Sequence, residues 1–291
     1  MKKYLVFIYM IMFIFILSSC GVKKNINSIG VKGNELDSSQ ISEIQKEYEN
    51  YKNNLELEDK VKENQWHKIK MNSIIKNSNK DEELEMYLSI SGKVFSSYYS
   101  YTDKMSLTVK FKGNMTDKET NTEAKFNGTI DIIYFESIAY YDINIKMTQK
   151  NEYEKESSRQ KQLIKGSIAD LENIVGSSVP FGSADLVSAF FDKMDTYNSK
   201  IYQKNDNKYY YKKEDTSNNR TSLNEIMIKL NSDYELKEYK YYDAETVTSN
   251  GTSYDTVTYI SFKKCLPKII KEPRNAKKYV NGDFDFDLGI F

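Results

Sequence analysis

The chain has 291 residues, with 42 basic and 42 acidic side chains, one histidine and two cysteines. Its lysines alternate with acids and only three arginines occur (Arg159, Arg220, Arg274), a distribution that speaks against nucleic acid as a partner. The histidine and cysteine counts are too low for an imidazole- or thiolate-based metal centre, and no phosphate-cradling glycine motif is present. No metal and no cofactor are therefore expected.

The first segment reads as an export signal. Lys2 and Lys3 precede an unbroken apolar run from Tyr4 to Leu17, which is shorter than the roughly 20 residues a membrane-spanning helix needs. Leu17, Ser18, Ser19 and Cys20 then resemble the lipobox of bacterial lipoproteins, position by position. That resemblance implies cleavage after residue 19, a thioether-linked diacylglyceryl group on Cys20 and acylation of the new amino terminus. Two or more acyl chains give a stable anchor, since each buried methylene contributes about 0.8 kcal/mol. The expected location is extracytoplasmic, anchored by lipid to the cell membrane. Loss of Lys2 and Lys3 leaves the mature chain slightly acidic.

Residues 20–36 are rich in Gly, Asn, Ser and Lys and read as a flexible tether. Residues 37–280 form a single domain, and residues 281–291 a tail. Asp37, Ser38 and Ser39 supply capping oxygens for a helix. Ile41, Ile44, Tyr48, Tyr51 and Leu55 recur every three or four residues along it, and the pattern extends as far as Ile69.

From Leu84 the period changes to two. The runs Leu84-Met86-Leu88-Ile90-Val94, Met105-Leu107-Val109-Phe111, Ala124-Phe126-Ile130-Ile132-Tyr134 and Tyr141-Ile143-Ile145-Met147 predict half-buried strands of an antiparallel meander. Residues 152–165 fit either a solvated strand pair or an exposed loop. Leu186, Val187, Phe190, Phe191 and Met194 form the stripe of a second helix. Strand signals return over residues 200–203, 209–212, 222–231, 234–242 and 255–263.

The expected fold class is α+β: a long curved antiparallel sheet, or half-barrel, wrapped over one or two helices. In this order of elements, together with its lipobox, the chain resembles the LolA/LppX family of exported lipoproteins and lipoprotein carriers. The resemblance implies an apolar interior that binds a lipid or another acyl-bearing ligand. The residues placed on that ligand face are Leu88, Ile90, Leu107, Val109, Ile130, Ile143, Phe190 and Phe191. The alternative is a cell-surface interaction or adhesion lipoprotein with a solid core and an exposed aromatic face.

Catalysis is not expected. A serine–histidine–acid triad would require His67, which lies beside Trp66 in a charged stretch read as helical, with no nucleophile elbow. Cys265, the cysteine left after Cys20, reads as a small apolar residue after a strand rather than a reactive or paired thiol. Asp283, Asp285 and Asp287 resemble the start of a calcium loop, but the sixth-position glycine is missing. A terminal strand or tail accounts for them.

Overall fold

In the computed structural model the described residues are 26–57, 65–96, 102–166, 183–195, 199–205, 207–232, 234–249 and 251–281. Cys20 and its lipobox, residues 168–179 and the run from Asp283 to Asp287 lie outside them.

The chain begins with β1 (Asn34–Glu35) and α1 (Ser38–Leu57). Asp37 caps α1: its Oδ1 accepts the backbone N–H groups of Ser39 and Gln40, each at 2.9 Å. Gln40 Oε1 accepts the Asp37 N–H at 3.0 Å, completing a reciprocal capping box. Six strands follow: β2 (Gln65–Ser78), β3 (Glu82–Ser96), β4 (Thr102–Asp117), β5 (Thr122–Phe135), β6 (Ile138–Lys150) and β7 (Lys155–Gly166). After α2 (Ser183–Asp192) and the 3-10 turn Lys193–Asp195 come β8 (Ser199–Asn205), β9 (Lys208–Ser217), β10 (Arg220–Leu230), β11 (Leu236–Ser249), β12 (Thr252–Lys264) and β13 (Val280–Asn281).

The thirteen strands among the described residues belong to one sheet, in the order β1-β8-β9-β10-β11-β12-β2-β3-β4-β5-β6-β7-β13. The long-range join is β2 against β12, with Ile69 opposite Phe262 and Met71 opposite Ile260. Every pairing is antiparallel except β13 with β7. Along each strand alternate side chains point inward, and the inward rows of β2 to β12 share one apolar cluster with Ile44 and Tyr48 of α1 and with Leu186, Val187, Phe190 and Phe191 of α2. The opposite rows carry exposed lysines such as Lys68, Lys70 and Lys76.

This corrects the α+β expectation and the sheet-over-helices arrangement drawn from the LolA/LppX resemblance. Among the described residues the chain is mostly β, with thirteen strands in one sheet against two α-helices. One cause is the stretch before Leu84. Helical spacing leads from Leu55 to Ile69, yet residues from Gln65 onward form β2. His67, Ile69, Met71, Ser73 and Ile75 occupy its inward row, all 0–6% exposed. His67 is therefore a strand residue. Of residues 152–165, for which the sequence leaves two readings open, those from Lys155 onward belong to β7.

The amino-terminal segment before β1 lies against the sheet. Glu225, on the outward row of β10, is only 4% exposed. Its carboxylate accepts the backbone N–H groups of Ile29 at 2.8 Å and Gly30 at 3.2 Å. Gly30 has a φ of 70°, a left-handed turn that a glycine adopts without strain. Part of the predicted tether is thus held on the outer face of β10.

Candidate functional site

The register places most of the proposed ligand-face residues in adjoining rows. Ile90, Val109, Ile130 and Ile143 are successive cross-strand partners on β3, β4, β5 and β6. The same row continues the other way through Met71, Ile260, Tyr241, Ile226, Tyr211 and Ile201. It forms an apolar belt across the sheet from β8 to β6. Leu107 lies one row away, opposite Ile132, and Leu88 in the row on the other side, opposite Phe111. Phe190 and Phe191 come from α2, which packs on β10 and β11. Phe191 stacks on Tyr48 at 4.2 Å between ring centroids and meets Tyr209 edge to face, while Phe190 tilts against Tyr209. All eight residues are 0–4% exposed. They form part of the continuous core, and the belt joins Ile90, Val109, Ile130 and Ile143 directly.

Next to this belt the interior becomes polar. The neighbouring row runs Lys213, Asn224, Asp243, Thr258 and Ser73. Asn224 Nδ2 donates to Asp243 Oδ1 at 2.9 Å, and the Ser73 and Thr258 hydroxyls lie 3.0 Å apart. The Asn224 carbonyl oxygen is buried without a hydrogen-bond partner. Lys193, in the turn closing α2, reaches this row from the helix side. Its Nζ lies 6.0 Å from the Tyr211 ring centroid and 5.7 Å from that of Tyr241, within reach of cation–π attraction.

Burial holds the Lys193 ammonium below its ordinary pKa; Asp243 opposes that shift and Lys213 adds to it. Burial likewise raises Tyr241, reinforced by Asp243 and countered by the Asn224 side chain. The arrangement places a half-buried cation, an unpaired amide oxygen and two tyrosine rings at the border of an apolar belt. Within it, the Lys193 cation can pair with an anionic group, and the Asn224 oxygen can accept from a donor. A nucleophile paired with a base is not part of it.

Sequence reasoning does not single out Lys193, Asn224, Tyr241 or Asp243. The available signal is phase: Asn224 occupies the same inward row of β10 as Ile226 and Ile228, and Asp243 the same row of β11 as Tyr239 and Tyr241. A polar residue in an apolar phase requires a partner.

His67 sits at the end of the inward face, stacked on Phe262 at 4.2 Å. It is opposite Lys264 and Val94, neither of them the serine or the acid that a triad needs. The Cys265 thiol is partly buried and raised in pKa by that burial, while its backbone N–H donates to the Trp66 carbonyl at 2.8 Å. Among the described residues no His/Cys/Asp/Glu group has the arrangement of a metal site.

No family model matches the sequence, and no curated protein matches it. Among solved structures, the chain is similar to the translocator domain of the autotransporter NalP from Neisseria meningitidis. The two are 6% identical, with a TM-score of 0.27 over 77% of this chain and 98% of that one. It is also similar to Pseudomonas aeruginosa OpdL, at 6% identity and a TM-score of 0.15, over 69% of this chain and 98% of that one. Likeness at that level assigns neither fold nor activity.

Proposed function

We propose that the chain is a membrane-anchored, extracytoplasmic binding protein, attached by lipid on Cys20, that takes an amphiphilic, lipid-like ligand and does no chemistry on it. The observation that carries this reading is the junction of the apolar belt with Lys193 and Asn224. The outward rows of β2 and its neighbours carry lysine, where a strand facing hydrocarbon would carry apolar side chains. The sheet therefore meets water on its outer side and keeps its apolar surface within. Attachment to the membrane falls to the lipobox, a resemblance that rests on residues 17–20.

The test is uptake of a fluorescent fatty acid by the purified chain, combined with native mass spectrometry of what it carries. An amphiphile should co-purify. Lys193→Gln should weaken fatty-acid binding about ten- to hundredfold, the loss of one charge-assisted hydrogen bond of about 1.5–3 kcal/mol. A clean protein that takes up no fatty acid would overturn the proposal. The full burial of the eight ligand-face residues would then favour the second reading, a surface interaction protein with a solid core.

A further inference from the structure

After β12 the chain does not leave the molecule. Residues 265–279 cross the outer face of the sheet at the end where β2 begins, and β13 then pairs with β7. The crossing is pinned along its length. Lys93 Nζ donates to the Leu266 carbonyl at 3.1 Å, and Lys268 Nζ to Ser106 Oγ at 2.9 Å. The Tyr140 hydroxyl donates to Glu272 at 2.8 Å, and Tyr140 and Tyr279 meet edge to face at 5.3 Å. Ile270 is turned against the sheet and 8% exposed, so its neighbour in this extended strap faces away: Ile269 is 83% exposed and Leu266 82%.

Two aliphatic side chains held in water by a fixed backbone gain nothing for folding. Along the strap the charge is predominantly basic. From Cys265 to Tyr279 there are five basic residues, and the single acid, Glu272, is engaged by Tyr140. Lys68 and Lys93 of the underlying strands add to the basic field. Glu136 acts on Tyr140, and Asp131 and Asp142 act on Tyr279, at the far end of the strap; at its start Glu235 lies 4.0 Å from Lys264. Basic charge with protruding aliphatics matches the headgroup region of an anionic bilayer: lysines attract the surface and short apolar side chains enter it.

We propose that this strap is a membrane-docking surface, with Ile269 and Leu266 inserted among anionic phospholipids and Lys271 and Arg274 on the headgroups. It goes beyond attachment at Cys20, because it fixes which end of the sheet faces the bilayer.

The experiment uses the full chain reconstituted with phosphatidylcholine vesicles, or with vesicles also containing phosphatidylglycerol, each carrying brominated lipid. Ile269→Trp is read against the parent chain, whose Trp66 supplies the background. Its emission should shift to the blue and be quenched severalfold more in the anionic vesicles, and added salt should reverse this. Tyr153→Trp, on the β6–β7 turn at the opposite end and 89% exposed in the native chain, should show neither effect. The exposed pair Lys271→Glu and Arg274→Glu should abolish the Ile269→Trp signal with circular dichroism unchanged. Equal quenching in both vesicle types, quenching of Tyr153→Trp, or none at Ile269→Trp overturns the proposal. Flotation of the chain with vesicles reports the lipid anchor separately, so a chain that floats without quenching removes the strap alone.

Discussion

His67 shows how one side chain makes stability depend on pH. It is 1% exposed, and burial, helped by nearby Lys264, lowers its pKa from 6.5 to about 4. Above pH 6.5 the imidazole is neutral whether the chain is folded or not, and titration changes nothing. Below that, the unfolded chain takes up a proton that the folded chain refuses until about pH 4, so stability falls as pH drops through this window. The full loss is about 3 kcal/mol, because each pH unit between the two values costs about 1.4 kcal/mol. His67→Phe keeps a ring against Phe262 and removes the titration. Urea denaturation at pH 7 and pH 4.5 should show a difference between the two pH values in the native chain that is larger by about one to three kcal/mol than in the variant. An equal pH dependence in both would disprove the assignment.

At the scale of elements, strands β4 and β5 are joined by two reciprocal ring-over-glycine contacts. Gly113 lies opposite Phe126 and Gly128 opposite Phe111, and a Cβ built on either glycine would meet the facing ring. A Cβ on Gly128 would also come within 2.8 Å of the Asn144 carbonyl oxygen, which belongs to the backbone and cannot swing aside. Gly128→Ala should therefore cost about 1–3 kcal/mol, seen as a lower urea midpoint with unchanged slope. Strands like these are legible in sequence because one face is wet, so Leu107, Val109 and Phe111 alternate with polar residues. Strand β2 is not, since Ile74 on the outward row adjoins Ile75 on the inward row while His67 and Ser73 take inward positions. Its apolar residues consequently imitate helical spacing. The first half of β7 hides differently: Lys155, Glu156, Ser157, Ser158 and Arg159 are all exposed, leaving no apolar phase to read. The polar end of the candidate site depends on the register of β9 to β12 and on a turn after α2. That juxtaposition is absent from any local window.

At the scale of the whole molecule, the Glu225 latch sets how far the sheet can stand from the membrane. With attachment at Cys20 as proposed, nine residue-to-residue steps link the anchor to Ile29, a reach of at most about 30 Å at roughly 3.3–3.6 Å each. Without the latch the first fixed point becomes Asn34 in β1, paired with Gln203, and the reach rises to about 50 Å. Glu225→Ala removes the Oε2 that accepts both N–H groups and should leave the sheet intact, because its ladder bonds are made by backbone. In the variant, hydrogen exchange at Ile29 and Gly30 should accelerate towards the rate of unprotected amides. Energy transfer from a fluorophore at Lys229→Cys, in a Cys265→Ser background, to labelled lipid should fall as the sheet gains freedom to move away. Docking by the 265–279 strap opposes that movement, so the fall should be larger in neutral vesicles than in anionic ones. If exchange at both amides accelerates yet transfer is unchanged in neutral vesicles, the latch does not control the height of the sheet.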